Sequence, residues 1–243
     1  MLLWPIAFLV GIVLGMFGAG GGMITVPVLI YVGDLPVKEA VAMSLWIVAI
    51  VSLVALFQNK FWRKLQFKMI ATLGVTGVLG SVSGSVFSHW LPEKIQLGLF
   101  SVLVLLVTWW VSKMELSDRV GVFEFIPASV AGFLIGFLTG IFGVGGGFLL
   151  VPALIYLGMQ HFPTAVAHSL VLISLNALTG GIVYLNKVQI PMQETLVFAA
   201  VAAVGTVLGA YILQRIESDR LQKSFSLVLV TMAFFMAWRA MSL

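Results

Sequence analysis

Long apolar runs separated by short polar clusters dominate the chain. Met1–Gly33 and Ala40–Asn59 contain no charged side chain, and Met69–Pro92, Ile95–Ser112 and Thr195–Gln214 carry at most one histidine each. A bilayer crossing needs roughly 17–25 apolar residues, so each of these runs is long enough. The run from Phe125 to Asn186 has 62 residues with only His161 and His168 ionisable, too long for one crossing. It must hold several segments. The fold class predicted is an all-α polytopic membrane protein.

The pattern also repeats. At an offset of 125, GMFGAGGGMITVPVLIYVG (Gly15–Gly33) answers GIFGVGGGFLLVPALIYLG (Gly140–Gly158), AVAMSL (Ala40–Leu45) answers AVAHSL (Ala165–Leu170), and GSVSG (Gly80–Gly84) answers GTVLG (Gly205–Gly209). EKIQ (Glu93–Gln96) answers DRLQ (Asp219–Gln222) after a one-residue slip. One offset shared by motifs of this length marks a duplication. The units are residues 1–112 and 126–243, joined by a charged linker at 113–125. Each reads as an apolar helix, a glycine-rich break, a short apolar helix and three spans. In the first unit these are Leu2–Phe17, Met23–Gly33, Glu39–Gln58, Phe67–His89 and Lys94–Ser112; in the second, Ile126–Phe142, Gly147–Gly158, Thr164–Leu185, Met192–Gln214 and Asp219–Met241.

Composition narrows the classes. With 61% hydrophobic residues, 9% charged and a mean hydropathy of +1.14, the chain cannot clothe a water-soluble domain. Having no cysteine, it has no disulfide, thiolate metal site or thiol nucleophile. The net charge of +4 sits in short loops and reads as membrane orientation, with no nucleic-acid partner implied. Six of the seven tryptophans, all but Trp46, lie near predicted helix ends, as an interfacial belt requires. The apolar run at residues 1–21 lacks a basic n-region and recurs in mid-chain, so it is expected to be structure rather than a leader.

Basic residues bear on orientation. If each broken pair enters and returns to one side, a unit makes three further crossings and the second unit is inverted. One face then holds Lys60, Arg63, Lys64, Lys68, Lys113, Arg119, Arg215, Arg220 and Lys223, and the other Lys38, Lys94, Lys187 and Arg239, nine against four. A parallel arrangement gives eight against five. Cytoplasmic loops carry the excess Lys and Arg, so the repeats are read as inverted, with both termini outside the cytoplasm.

Chemistry concentrates at the breaks. Gly18–Gly22 and Gly143–Gly147 each hold four glycines in five positions, and each precedes a short helix containing a proline, Pro27 or Pro152, read as structural. Glycine lets other groups approach the main chain closely, and a helix starting there offers unpaired N–H groups at a positive dipole end. That combination suits an anion without any cationic side chain. Broken helices of inverted-repeat transporters form their substrate sites near the midplane. The candidate substrate-binding residues are therefore Gly18, Gly20, Gly21 and Gly22, with Gly143, Gly145, Gly146 and Gly147. By contrast, Gly11, Gly15, Gly80, Gly84, Gly205 and Gly209 form small-residue faces for helix packing.

Ser44 and Ser169 occupy equivalent positions and either donate to substrate or bond their own helix. His168 is an ionisable residue inside a predicted span and reads either as a ligand or as a neutral hydrogen-bonded ring. Asn176, two turns further on, carries the same two readings. No span interior holds Asp or Glu, and no metal cluster, cofactor motif or nucleophile–base pair is present. An enzyme is not expected.

The doubled GxFGxGGG…VPxLIYxG block, each copy followed by AVAxSL, resembles the TauE/SafE family of membrane permeases over essentially the whole chain. That resemblance implies a multi-pass carrier of the bacterial inner membrane exporting sulfite, sulfoacetate or a related sulfur-containing anion. The family signature falls on Gly18, Gly20, Gly21, Gly22 and Pro27 and on Gly143, Gly145, Gly146, Gly147 and Pro152. Met43 and His168 depart from the small residue or threonine common before the serine of AVAxSL, which leaves the identity of the anion open. The expected partners are a small anion and membrane lipid; oligomeric state is not legible. Uptake of another small anion is the alternative within transport, and a non-transporting membrane scaffold the alternative outside it.

Overall fold

A computed structural model describes residues 3–17, 21–58, 66–113, 125–157 and 162–213. Among these the chain forms helices α1 (Leu3–Phe17), α2 (Gly21–Tyr31), α3 (Val37–Gln58), α4 (Phe67–Ser88), α5 (Glu93–Lys113), α6 (Phe125–Phe142), α7 (Gly147–Tyr156), α8 (Phe162–Leu185) and α9 (Met192–Leu213), with no strand among the described residues. The expected Asp219–Met241 span lies outside the described residues, as does most of the linker.

Helix is the only open element that satisfies its own backbone in lipid, and these segments are built accordingly. Val37–Gln58, Phe67–Ser88, Thr164–Leu185 and Met192–Ile212 are each long and apolar enough to cross a membrane. At about 1.5 Å per residue, a 22-residue helix such as α3 covers the roughly 30 Å of hydrocarbon. Exposed apolar side chains, among them Val75, Leu79, Leu106, Ile126 and Val204, give the bundle a lipid-compatible exterior. The chain is a polytopic, all-helical membrane protein.

Without water between helices, close backbone approach drives association. The glycine faces provide it. α1 packs most closely on α9 and α4 on α6. A Cβ on Gly11 would collide with the Ala202 carbonyl, on Gly15 with Thr206, on Gly205 with Phe8 and on Gly209 with Ile12. Numbers rise together along both helices, so α1 and α9 run in the same direction. Gly132 against Leu73, Gly136 against Gly77 and Gly140 against Ser81 make α4 and α6 parallel as well.

At the offset of 125, α1 corresponds to α6 and α4 to α9, so the two pairs are equivalent and each draws one helix from either unit. The units interlock; they are not two bodies side by side. α4 also runs parallel to α8, with Gly77 at Asn176, Ser81 beside Gly180, and Tyr184 hydrogen-bonded to Ser88. α3 crosses α8 in the opposite sense: Leu45 lies beside Gly180, whereas Val48 and Ile173 meet over Gly145. α3 and α8 are themselves equivalent helices.

Candidate functional site

The second break is glycine by necessity. Gly143, Gly145 and Gly146 have φ of 71°, 70° and 67°, left-handed backbone that costs an L-residue roughly 1–2 kcal/mol. Gly146 is also the N-cap of α7 and makes no side-chain cap bond, while its carbonyl accepts from the N–H groups of Leu149 and Leu150 at 3.0 and 2.8 Å. The first N–H groups of α7 thus begin within the protein interior without the Ser, Thr, Asp or Asn that ordinarily caps a helix.

Depth follows from what this loop touches. A Cβ on Gly145 would press on Val48 and lie 3.0 Å from Ile173. Val48 is the twelfth residue of the 22 in α3, and Ile173 the twelfth of the 24 in α8. Gly145 therefore lies at the middle of the bundle, while Gly143, packed on Val41 near the start of α3, lies nearer one end. Val48 and Ile173 are equivalent residues at the 125 offset, so the pseudo-symmetry relating the units passes between them.

From the first break, Gly18 and Gly20 lie outside the described residues. Gly21 opens α2, and Gly22 backs directly onto the Val144 carbonyl, with Val48 also alongside. The starts of α2 and α7 consequently meet at mid-bundle, each within contact of Val48. Pro27 and Pro152 are buried inside these two short helices.

Ser44 joins this group. It is fully buried with no hydrogen-bond partner for its hydroxyl. On α3 it stands three residues after Val41, which packs on Gly143, and four before Val48, which packs on Gly145. Residues so spaced share a helix face, the one turned to the break.

The other polar candidates have different partners. Ser169 bonds its own helix, Oγ donating to the Val166 carbonyl at 2.8 Å. His168 uses both ring nitrogens: Nδ1 pairs with the Thr164 carbonyl at 2.8 Å, and Nε2 accepts the Gln66 backbone N–H at 2.8 Å. This is a neutral ring serving the N-terminal end of α4, under two turns from the start of α8. Asn176 faces α4, where a Cβ on Gly77 would lie 2.7 Å from its Oδ1, and that oxygen has no partner.

Polar residues unremarked in the sequence reading hold the far end of α6. Tyr184 Oη lies 3.3 Å from the Gly140 carbonyl and 2.6 Å from Ser88 Oγ, while the Gln96 amide donates to the Ile141 carbonyl and to Ser88 Oγ. The last carbonyls of a helix lack internal partners, and these side chains supply them just before the break. Gln96 did carry a signal, since the duplication repeats it as Gln222, a residue outside the described set. Among the described residues, no group of three or more His, Asp or Glu could hold a metal.

Apolar crossings around two short half-helices that start inside the bundle define an integral membrane protein of the broken-helix type, and the comparisons make it a membrane transporter. The profile of the family described as Sulfite exporter TauE/SafE matches residues 3–236, and the chain belongs to that family. It is similar to a probable membrane transporter protein of Methanocaldococcus jannaschii, with 31% identity over 258 residues covering 97% of this chain and 94% of the relative. The probable membrane transporter protein YdhB of Bacillus subtilis is 26% identical over 87% of this chain and 88% of its own. A plant relative, Sulfite exporter TauE/SafE family protein 6 of Arabidopsis thaliana, is 26% identical over 64% of this chain and 40% of its own. No solved structure matches the chain.

Proposed function

We propose that this transporter exports a small sulfur-containing anion, sulfite or an organosulfonate, by alternating access driven by the membrane potential. The observation that carries the reading is the meeting of the α2 and α7 N-terminal ends at mid-bundle through Gly22 and Val144. Two positive dipole ends on bare backbone hold a tetrahedral or pyramidal oxyanion by N–H donors alone. Ser44 adds a buried hydroxyl with no other partner. The sulfur chemistry of the substrate rests on the family.

Helix directions support the reading of inverted repeats. α6 runs parallel to α4, and α4 to α8, so α6 and α8 start on one side and the α6–α7 pair enters and returns there. With the Asp219–Met241 span expected from the sequence, three crossings remain per unit, an odd number, in agreement with the antiparallel α3 and α8 and with the distribution of basic residues. Because the units interlock, the bodies that move are spatial, the α1–α9 pair and the α4–α6 pair, rather than the two sequence halves. In a bacterial inner membrane an inside-negative potential favours exit of an anion by about 2.3 kcal/mol per charge at 100 mV, and no coupling ion is needed.

The test is flux of labelled sulfite and sulfoacetate from proteoliposomes under an imposed potential. Efflux that accelerates with an inside-negative potential supports the reading. Flux indifferent to potential removes its electrogenic part, and accumulation against the expected direction in cells makes the protein an uptake permease.

A further inference from the structure

Buried hydroxyls in this bundle commonly bond their own helix. Thr108, Thr139, Ser169, Ser174 and Thr206 each donate to a carbonyl three or four residues back, at 2.7–2.9 Å. Among the described residues, the buried hydroxyls without a partner are those of Ser44 and Ser52, both on α3 and both fully buried. The equivalent positions on α8 are Ser169, which bonds its own helix, and Ala177, which is as fully buried and has no hydroxyl. The pseudo-symmetric packing is thus met on α8 without a hydroxyl at the Ser52 position.

Ser44, Val48 and Ser52 stand at steps of four and share one helix face. Val48 adjoins both Gly22 at the start of α2 and Gly145 of the second break. A Cα–Cβ bond leans toward the N-terminus of its helix. Ser44 therefore leans toward Val41, which packs on Gly143, and Ser52 leans back toward Val48 and the start of α2. α2 and α3 pack together and run antiparallel, because Gly22 lies at Val48 and the short loop after Tyr31 leads into Val37. The rises from Gly21 to Tyr31 and from Val37 to Val48, about 15 Å and about 16 Å, match. Helix N–H groups point toward the N-terminus, so those opening α2 are directed along α3 from Val48 toward Ser52.

We propose that Ser52 and the first N–H groups of α2 form a second position for the small oxyanion, separated by Val48 from the position at Ser44 and the second break. The proposal deepens the transport reading and rests on it. Hydroxyl and backbone N–H are donors, and an oxyanion supplies the acceptor that the Ser52 hydroxyl lacks. From Ser44 to Ser52 the rise is about 12 Å, more than one sulfite or sulfoacetate ion spans, so the two hydroxyls serve separate positions. Ser52 lies toward the end of α3 that leads through Gln58 into the basic segment Lys60–Lys68, the side read as cytoplasmic. For an exporter this is the side from which the anion loads.

The test uses the full chain purified in detergent, with sulfite titrated calorimetrically. The unsubstituted protein should bind two sulfites. In Ser52→Ala one binding step should weaken about 10- to 100-fold, the loss of a hydrogen bond to an ion, while the other keeps its Kd. Ser44→Ala should weaken the other step. Without sulfite, both variants should unfold at the temperature of the unsubstituted protein or above it, because each removes a buried hydroxyl that has no partner. Ser52→Ala with both steps intact, or with a lowered ligand-free unfolding temperature, overturns the proposal and makes Ser52 a packing residue. No more than one sulfite per unsubstituted chain, with efflux from proteoliposomes intact, overturns the second position alone. Neither binding nor efflux of sulfite and sulfoacetate by the unsubstituted chain overturns the transport reading and this proposal with it.

Discussion

Replacing Gly145 with alanine isolates the backbone of the break from its chemistry. The substitution forces an L-residue to φ of 70°, which costs about 1–2 kcal/mol. Its methyl also lands on Val48 and 3.0 Å from Ile173 Cγ2. Moving each of those side chains off its rotamer costs about 0.5–1.5 kcal/mol. The sum is about 2–5 kcal/mol, or a factor of roughly thirty to a few thousand in the folding equilibrium. Gly98→Ala is the control: it adds the same methyl to α5, where nothing lies within 4 Å, and should be neutral or stabilising by up to about 1 kcal/mol. Unfolding of both purified variants in detergent gives the stability difference, and flux per folded molecule in proteoliposomes gives the functional one. Gly145→Ala should lose both. If it matched Gly98→Ala in stability and flux, the break would be held in some other conformation and the site derived from it would be wrong.

Three further outcomes test the rest of the structure. His168→Ala should destabilise the protein by about 1–3 kcal/mol, because it strands the Gln66 N–H, while leaving the substrate KM unchanged; a KM shift without a stability loss would return the ring to the substrate site. Thr206→Val removes the 3.0 Å bond to the Gly11 carbonyl between α1 and α9 but keeps the volume, and should cost only about 0.6 kcal/mol in an unfolding titration. A loss of several kcal/mol would mean that polar bonding rather than glycine packing holds that pair. Reporter tags inserted in Lys60–Lys68 and in Arg215–Lys223 should both report the cytoplasm, and opposite locations would contradict inversion.

Much of the fold is legible in the sequence because the signals are local. Apolar run length set the helices: Phe67–His89 was expected for α4 and Phe67–Ser88 is found, and Gly147–Gly158 for α7 against Gly147–Tyr156. The packing role of Gly11, Gly15, Gly80, Gly84, Gly205 and Gly209 was equally readable, since small residues four apart permit close approach whatever the partner. Partner identity was not readable. Ser44 and Ser169 are equivalent in sequence, yet only Ser169 bonds its own helix. His168 offered two readings that differ only in what stands beside the ring, and the ring's partner is Gln66, 102 positions away.

The sequence by itself determined a duplicated, apolar, helical chain with two glycine breaks, because run length, repeat offset and glycine content are properties of neighbouring residues. Only the tertiary structure decided that Gly22 and Val144 touch, that Val48 and Ile173 meet at mid-bundle, and that Gln96 and Tyr184 meet at Ser88. Those facts depend on which helix faces are brought together and in which direction each helix runs. Contacts between distant parts of a chain are set by packing in three dimensions, and no local pattern records them.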